Sequence, residues 1–239
     1  MKQRTWIILL ATLFLIAGCS NETTKAEDIP TLRIGQASNK GTGNLNFASP
    51  MTITSIPTIN YLLPQKNSED RITPITHIVF HFTSNAAQKP EDPYNPNDIR
   101  ETFVDYGISA HYMIGREGEI YLLVPENRIA HHAGEGDLKD FPHYKDQLNK
   151  YSIGIEMLAI GTKEEMNSMV PANIYDSIPG LHIGFTEAQY QSLRRLVNDI
   201  VNRNPAIKKD RAHIIGHDEY APSRKTDPGS LFSWSEIGF

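Results

Sequence analysis

The sequence predicts a single α/β domain with a central mixed β-sheet flanked by α-helices. First, strand patterns and helix patterns alternate along the chain from residue 51 onward, which is typical of a sheet covered by helices. Second, two of the strand patterns are separated only by a short turn, which indicates an antiparallel hairpin within the sheet. Third, a chain of 239 residues without internal repeats is long enough for one substantial core.

Five segments have strand patterns. Ile75–Phe82 contains the apolar run of a buried strand, and His111–Ile114 with Glu119–Val124 forms the hairpin. Tyr151–Leu158 alternates, so that Ile153, Ile155 and Met157 share one face while Ser152, Gly154, Glu156 and Leu158 share the other. The short strand Ala212–Gly216 leads directly to His217.

Two segments have helix patterns. Pro96 opens the first, which places Ile99, Phe103 and Tyr106 on one face and ends at Gly107. The second begins with a capping box formed by Thr186 and Gln189, and Asn204 and Pro205 end it. Its apolar stripe comprises Tyr190, Leu193, Leu196, Val197, Ile200 and Val201. The intervening segment 161–184 reads as a long loop, either the rim of a substrate groove or an irregular connection.

The amino terminus predicts export. Lys2 and Arg4 precede an apolar run that is too short for a comfortable membrane span. The run ends at Cys19, the only cysteine, in a pattern that resembles a bacterial lipoprotein signal. We therefore expect a signal peptide over 1–18, a flexible tether over 19–50 and the folded domain over 51–239. An ordinary signal peptide or a short membrane anchor is the alternative.

The charge of the chain bears on its partners. The formal charge of −5 becomes −7 once Lys2 and Arg4 are removed, and no cluster of basic residues is long enough to grip phosphates. We therefore expect no nucleic-acid partner. Membrane attachment would depend on a lipid at Cys19, either on the outer membrane facing the periplasm or on the outer face of a single cell membrane.

The segment 217–229 contains the most reactive combination of residues. It holds His217, Lys225 and Asp227, and two prolines prevent it from forming one helix, so that a loop can bring His217 and Asp227 together. His81 lies in the buried strand upstream. Two neutral imidazoles and a carboxylate around an open fourth position are what a catalytic zinc ion requires. The central hypothesis is a zinc site.

Geometry argues against several of the nine histidines as partners in such a site. His77 lies about 13 Å from His81 along the strand, at roughly 3.3 Å per residue, so the two cannot share one metal ion. His213 and His217 would share a face on a helix, but their segment favours a strand and lacks the glutamate of a zincin. His131 and His132 are neighbours, so at most one of them points into a site.

Four blocks of sequence, in order, resemble the zinc-dependent N-acetylmuramoyl-L-alanine amidases, whose domain is shared with peptidoglycan-recognition proteins. The blocks are 78–83, 109–118, 130–134 together with 152–156, and 216–229. The resemblance implies that one zinc ion is bound by His81, His217 and Asp227, and that Glu156 and Lys225 are catalytic. It also suggests substrate contacts for His132 and His111. The implied substrate is peptidoglycan or a muropeptide, cleaved between N-acetylmuramic acid and L-alanine.

The sequence is also compatible with other interpretations of the site. Some relatives carry a tyrosine where this chain has Ala110, which leaves more of the chemistry to Glu156 and Lys225. Glu156 could instead face solvent on an edge strand, although Gly154 on the same face leaves room for a ligand. A binding module that does not cleave would need no zinc, and a glycosidase would need a second carboxylate beside Glu156.

Overall fold

The computed structural model describes residues 54–239, and the predicted signal peptide, Cys19 and most of the tether lie outside them. The described residues form eight strands and five α-helices. The strands are β1 (Ile59–Asn60), β2 (Ser68–Asp70), β3 (His77–Thr83), β4 (Tyr112–Ile114), β5 (Ile120–Leu122), β6 (Arg128–Ala130), β7 (Ser152–Leu158) and β8 (Ile214–Gly216). The helices are α1 (Pro96–Tyr106), α2 (Lys163–Met166), α3 (Ala172–Tyr175), α4 (Glu187–Arg203) and α5 (His217–Tyr220).

Six of the strands form one mixed sheet in the order β1-β5-β4-β7-β3-β8. The pair β4–β5 is the predicted hairpin and is antiparallel, whereas β4–β7, β7–β3, β3–β8 and β1–β5 are parallel. β2 and β6 pair separately and antiparallel. The predicted α/β domain with a mixed sheet is confirmed. The parallel centre places the carboxyl ends of β7, β3 and β8 together, where ligands bind in open α/β sheets.

Helix α4 covers one face of the sheet. Thr186 accepts a hydrogen bond from the backbone of Gln189, and the Gln189 side chain accepts one from the backbone of Thr186, so the predicted capping box is present. The apolar stripe of α4 packs on the alternate residues Ile153, Ile155 and Met157 of β7, all of which are fully buried. This face is the main hydrophobic core. On the opposite face of β7, Leu158 joins a second buried cluster with α1, whereas Glu156 borders the site.

Helix α1 packs on the other side. Asn95 caps its first turn, and Gly107 ends it in the left-handed conformation with φ of 67°. Of the three residues predicted to share one face, Ile99 and Phe103 are buried, whereas Tyr106 is 78% exposed. Tyr106 is the last residue of α1, where the helix extends beyond the layer that it covers.

The segment 161–184, predicted to be a long loop, contains regular secondary structure. It contains α2, α3 and one turn of 3-10 helix, and Met166, Val170 and Ile178 form a small buried cluster with Phe82 and Ile160. Among residues 54–239, no helix combines the length and the apolar character needed to cross a membrane.

Candidate metal centre

Strands β3 and β7 place two functional side chains next to each other. In their parallel register His81 is paired with Glu156, so both side chains leave the same face of the sheet, opposite to α4. His81 is 2% exposed. The alternation predicted for Tyr151–Leu158 therefore accounts for the direction of Glu156.

The chain after β8 folds back on itself. His217 opens the single turn of α5, and the chain then leaves the helical conformation before Pro222 and returns through Asp227. The backbone amide of Asp218 donates to the backbone carbonyl of Asp227 at 2.8 Å, which closes this loop. The closure brings the Asp227 carboxylate to the His217 ring, as the proline-broken pattern predicts.

Three ligand atoms converge between these elements. Nδ1 of His81 lies 2.8 Å from Oδ2 of Asp227, and Nδ1 of His217 lies 3.0 Å from the same oxygen. All three residues are buried, and their ligand atoms lie within 4.8 Å of one another. This cluster could hold a metal ion.

The hydrogen bonds around the cluster fit a cation. His217 Nε2 lies 2.8 Å from the carbonyl oxygen of Ala133, which can only accept, so Nε2 carries the hydrogen. In the neutral form of the ring, the lone pair of His217 Nδ1 then points at the Asp227 carboxylate, and a cation between these two acceptors would satisfy both. Burial lowers the pKa of His81 to about 4, so its ring is also neutral near pH 7. Two neutral imidazoles and a carboxylate are a donor set suited to zinc.

Glu156 is a buried carboxyl group with a raised pKa. Its Oε2 is buried and has no hydrogen-bond partner among the described residues. Burial raises the pKa of Glu156 to about 8, the charge of Asp227 acts in the same direction, and Lys225 partly offsets both. A carboxylate with this pKa takes up a proton far more readily than an exposed one, and general bases work best when their pKa is near the operating pH.

The cluster opens onto a cavity of about 310 Å³. Its lining includes the three possible ligands together with Glu156, Lys225 and His132. Ser168 and Met169 contribute to one wall, so the segment 161–184 does border the cavity. Predicted metal-binding and catalytic residues that lie far apart in the sequence therefore share one concave site.

Comparison with known proteins decides the family. The family model for N-acetylmuramoyl-L-alanine amidases matches residues 71–230, which is more than half of the chain and includes every residue of the cluster. The chain belongs to this amidase family. The resemblance seen in the four sequence blocks is confirmed.

Individual relatives agree with this assignment. The chain is 34% identical over 130 residues to the 1,6-anhydro-N-acetylmuramyl-L-alanine amidase AmpD of Citrobacter freundii, covering 54% of this chain and 55% of that one. It is 32% identical over 143 residues to the N-acetylmuramoyl-L-alanine amidase AmiD of Escherichia coli strain K12, covering 57% and 45%. The chain thus spans about half the length of these curated relatives. A crystal structure of an AmpD derivative superimposes with a TM-score of 0.57 at 26% identity, covering 75% of this chain and 92% of that one.

The two histidines predicted to contact substrate lie in different surroundings. His132 borders the cavity, and its Nδ1 lies 3.0 Å from Nε2 of His81. His111 is completely buried and does not line the cavity; its Nδ1 accepts from the backbone of Gly154, and its Nε2 bonds the carbonyl of Arg128. These contacts indicate a structural role for His111. Ala110 is also completely buried.

The space above Gly154 is occupied by protein. A methyl group added at Gly154 would lie 2.5 Å from the ring of His132, so this glycine accommodates the imidazole and not a ligand. The prediction that Gly154 leaves room for a ligand is therefore wrong. Local sequence does not reveal this contact, because Gly154 and His132 are 22 positions apart.

Two supporting residues were not predicted. Asn149 uses its side-chain oxygen to accept from the backbone amides of His132 and Ala133, at 3.0 and 2.7 Å. Ser152 bonds the His132 ring at 3.1 Å. Ser152 lies in one of the family blocks and faces the site in the predicted alternation, which is a usable signal, whereas nothing local distinguishes Asn149.

Proposed function

We propose that this chain is a zinc-dependent amidase that hydrolyses the bond between N-acetylmuramic acid and the L-alanine of the peptidoglycan stem peptide. His81, His217 and Asp227 would hold one zinc ion. The observation that carries the proposal is the convergence of these three donors beside Glu156 and Lys225 in a single cavity. Membership in the amidase family supports the choice of bond.

Each part of the site has a distinct task. A zinc ion, when bound, polarises a carbonyl group and lowers the pKa of water to about 7. Glu156 removes a proton from the attacking water and delivers it to the departing nitrogen of L-alanine. Its buried and unpartnered Oε2 and its raised pKa support this exchange, which is typically worth about 10²–10⁴-fold in rate.

Lys225 supplies positive charge to the cavity. Its ammonium group would stabilise the negative charge that develops on the carbonyl oxygen as the amide is attacked. One such preorganised interaction is worth about 3–4 kcal/mol. The backbone amide of Lys225 bonds the carbonyl of Ala221 at 2.9 Å, which fixes the loop that carries it.

The proposed location of the protein is based on the sequence pattern alone. We propose export and lipid attachment at Cys19, which lies outside the described residues. Mass spectrometry of the protein purified from bacterial membranes tests this, because the lipid adds a defined mass to a chain that begins at Cys19. A chain that retains residues 1–18 would contradict it.

Two substrates and two products test the activity. Purified peptidoglycan and a small anhydro-muropeptide are each incubated with the protein, and new L-alanine amino termini and new reducing ends are measured separately. We expect amino termini without reducing ends, and loss of the activity in Asp227→Ala. Reducing ends alone would indicate a glycosidase, and binding without either product would indicate a recognition module. The two substrates show whether intact wall or a released fragment is preferred.

A further inference from the structure

His132 lies between one of the proposed metal ligands and strand β7. Its Nδ1 is 3.0 Å from Nε2 of His81, and its Nε2 is 3.1 Å from the hydroxyl oxygen of Ser152. The Ser152 hydroxyl is also 2.6 Å from the carbonyl oxygen of Leu148. These contacts form an unbroken series that we call the His132 relay: Leu148 carbonyl, Ser152, His132 and His81.

The carbonyl of Leu148, at the end of the His132 relay, fixes the direction of the hydrogen bonds in it. A carbonyl oxygen only accepts, so the Ser152 hydroxyl donates to Leu148. Ser152 has one hydrogen, so its oxygen must accept from Nε2–H of His132. A neutral imidazole carries a single N–H, and His132 uses its own toward Ser152, so its Nδ1 is left to accept from Nε2 of His81.

The direction of the last bond decides which nitrogen of His81 is free. If Nε2 of His81 donates to His132, Nδ1 carries no hydrogen. Nδ1 is the atom that lies 2.8 Å from the Asp227 carboxylate, inside the ligand cluster. The relay thus presents a lone pair where a metal ion needs one.

The dipeptide His132-Ala133 also contacts the second histidine ligand, His217. The carbonyl of Ala133 accepts from Nε2–H of His217 at 2.8 Å, which frees the Nδ1 of His217 in the same way. Asn149 holds both backbone amides of the dipeptide with one side-chain oxygen. Gly154 lets the His132 ring lie directly against β7. The dipeptide His132-Ala133 is therefore held at its backbone by Asn149. The His132 ring is held by its packing on Gly154 and by the bond from its Nε2 to Ser152.

We propose that His132 is a positioning residue and not a substrate contact: with Ser152 it holds His81 in the Nε2–H tautomer, and with Ala133 it orients both histidine ligands. This proposal rests on the proposed metal site. Partners that orient metal-binding histidines in this way typically contribute about 10–100-fold to metal affinity.

Zinc affinity measured by competition with a chromophoric chelator tests the proposal in the purified protein. We expect His132→Leu to bind zinc about 10–100-fold more weakly than the parent. His132→Asn should recover much of the affinity, because its amide oxygen can accept at the position of Nδ1. Ser152→Ala should also weaken binding, since His132 loses the acceptor that fixes its own tautomer. The matched control is His131→Asn. The neighbouring His131 lines the same cavity and makes no hydrogen bond to His81, His217 or Asp227. The control variant should bind zinc as tightly as the parent.

Nitrogen NMR of the metal-free protein gives a second readout that simple loss of packing would not change. The Nε2–H tautomer of His81 should be more populated in the parent than in His132→Leu. Combining Ser152→Ala with His132→Leu should add little further loss of zinc affinity, because the two residues act through one series of bonds.

The outcomes separate the proposal from the function on which it rests. If the parent binds one zinc ion and hydrolyses the amide while His132→Leu and Ser152→Ala bind zinc equally well, only the positioning role is overturned. If His132→Asn is as weak as His132→Leu, His132 merely fills space and the proposal is again wrong. If the parent binds no zinc, the metal site and the positioning role both fail. Should His132→Leu not fold, Ser152→Ala carries the test.

Discussion

Replacement of His77 by phenylalanine should remove one defined part of the destabilisation that acid causes. His77 is completely buried on β3, and its ring stacks on His213 with the centroids 5.3 Å apart. Burial lowers the pKa of His77 from 6.5 to about 4. Protonated His213 and His143 act in the same direction, whereas the carboxylate of Asp210 and the backbone of Ala212 oppose it.

The sign and the size of the effect follow from this pKa. The unfolded chain takes up a proton at His77 near pH 6.5, whereas the folded protein does so only near pH 4. The free energy of unfolding therefore falls as the pH decreases through this window. The difference from 6.5 to about 4 corresponds to about 3 kcal/mol, at roughly 1.4 kcal/mol per unit. Phenylalanine takes up no proton and can keep the contacts with Phe141 and Tyr144.

Urea unfolding of the parent and of His77→Phe, both with a chelator present, measures this contribution. The chelator removes any effect of bound metal, and the pH dependence of residues that do not interact with His77 cancels in the difference. We expect the stability of the variant relative to the parent to increase by about 3 kcal/mol between about pH 7.5 and about pH 4. A difference that stays constant with pH would refute the reasoning.

Three further substitutions test catalysis and stability separately: two should lower kcat, and the third should lower the free energy of unfolding. Glu156→Gln should lower kcat for amide hydrolysis by about 10²–10⁴-fold with little change in zinc content, and near-parental kcat would remove Glu156 from the mechanism. Lys225→Ala should lower kcat by about 10²–10³-fold, also at unchanged zinc content; a change in KM alone would indicate a binding role. Glu126→Ala should reduce the free energy of unfolding by about 3–5 kcal/mol. Buried Glu126 pairs with Arg203 at 2.6 Å and accepts a hydrogen bond from the hydroxyl of Tyr112. A loss below about 1 kcal/mol in urea unfolding would show that Arg203 is satisfied by its other partner, Asp199.

The parts of the fold that were predictable from the sequence are those with local signals. The stripe of α4 and its capping box are complete within 18 residues, 186–203, and β7 shows its two faces by simple alternation. These two elements already define a core face and a site face. The direction of Glu156 therefore follows from local sequence.

The parts that were not predictable depend on contacts between distant segments. β1 and β2 are strands of two and three residues, and they exist only because β5 and β6 lie beside them. Tyr106 has the correct helical spacing for burial, but the spacing does not show where the layer beneath α1 ends. Short strands and helix ends are decided by tertiary neighbours and not by periodicity.

The same limit applies to the site. The pattern around His217 and Asp227 indicates ligands, since prolines in a short loop force the chain to turn back. The His132 relay gives no such signal, because its direction depends on the carbonyl of Leu148 and the position of His132 depends on the side chain of Asn149. Which histidine nitrogen is free can be inferred only once these acceptors are placed in three dimensions.

The central claim is that His81, His217 and Asp227 hold one zinc ion. Elemental analysis of the protein purified without chelators, for the parent and for Asp227→Ala, tests it most directly. We expect about one zinc ion per chain in the parent and a large loss in the variant, because removing the carboxylate leaves two ligands. A parent without zinc, or a variant that retains all of it, would contradict the metal site and the mechanism built on it.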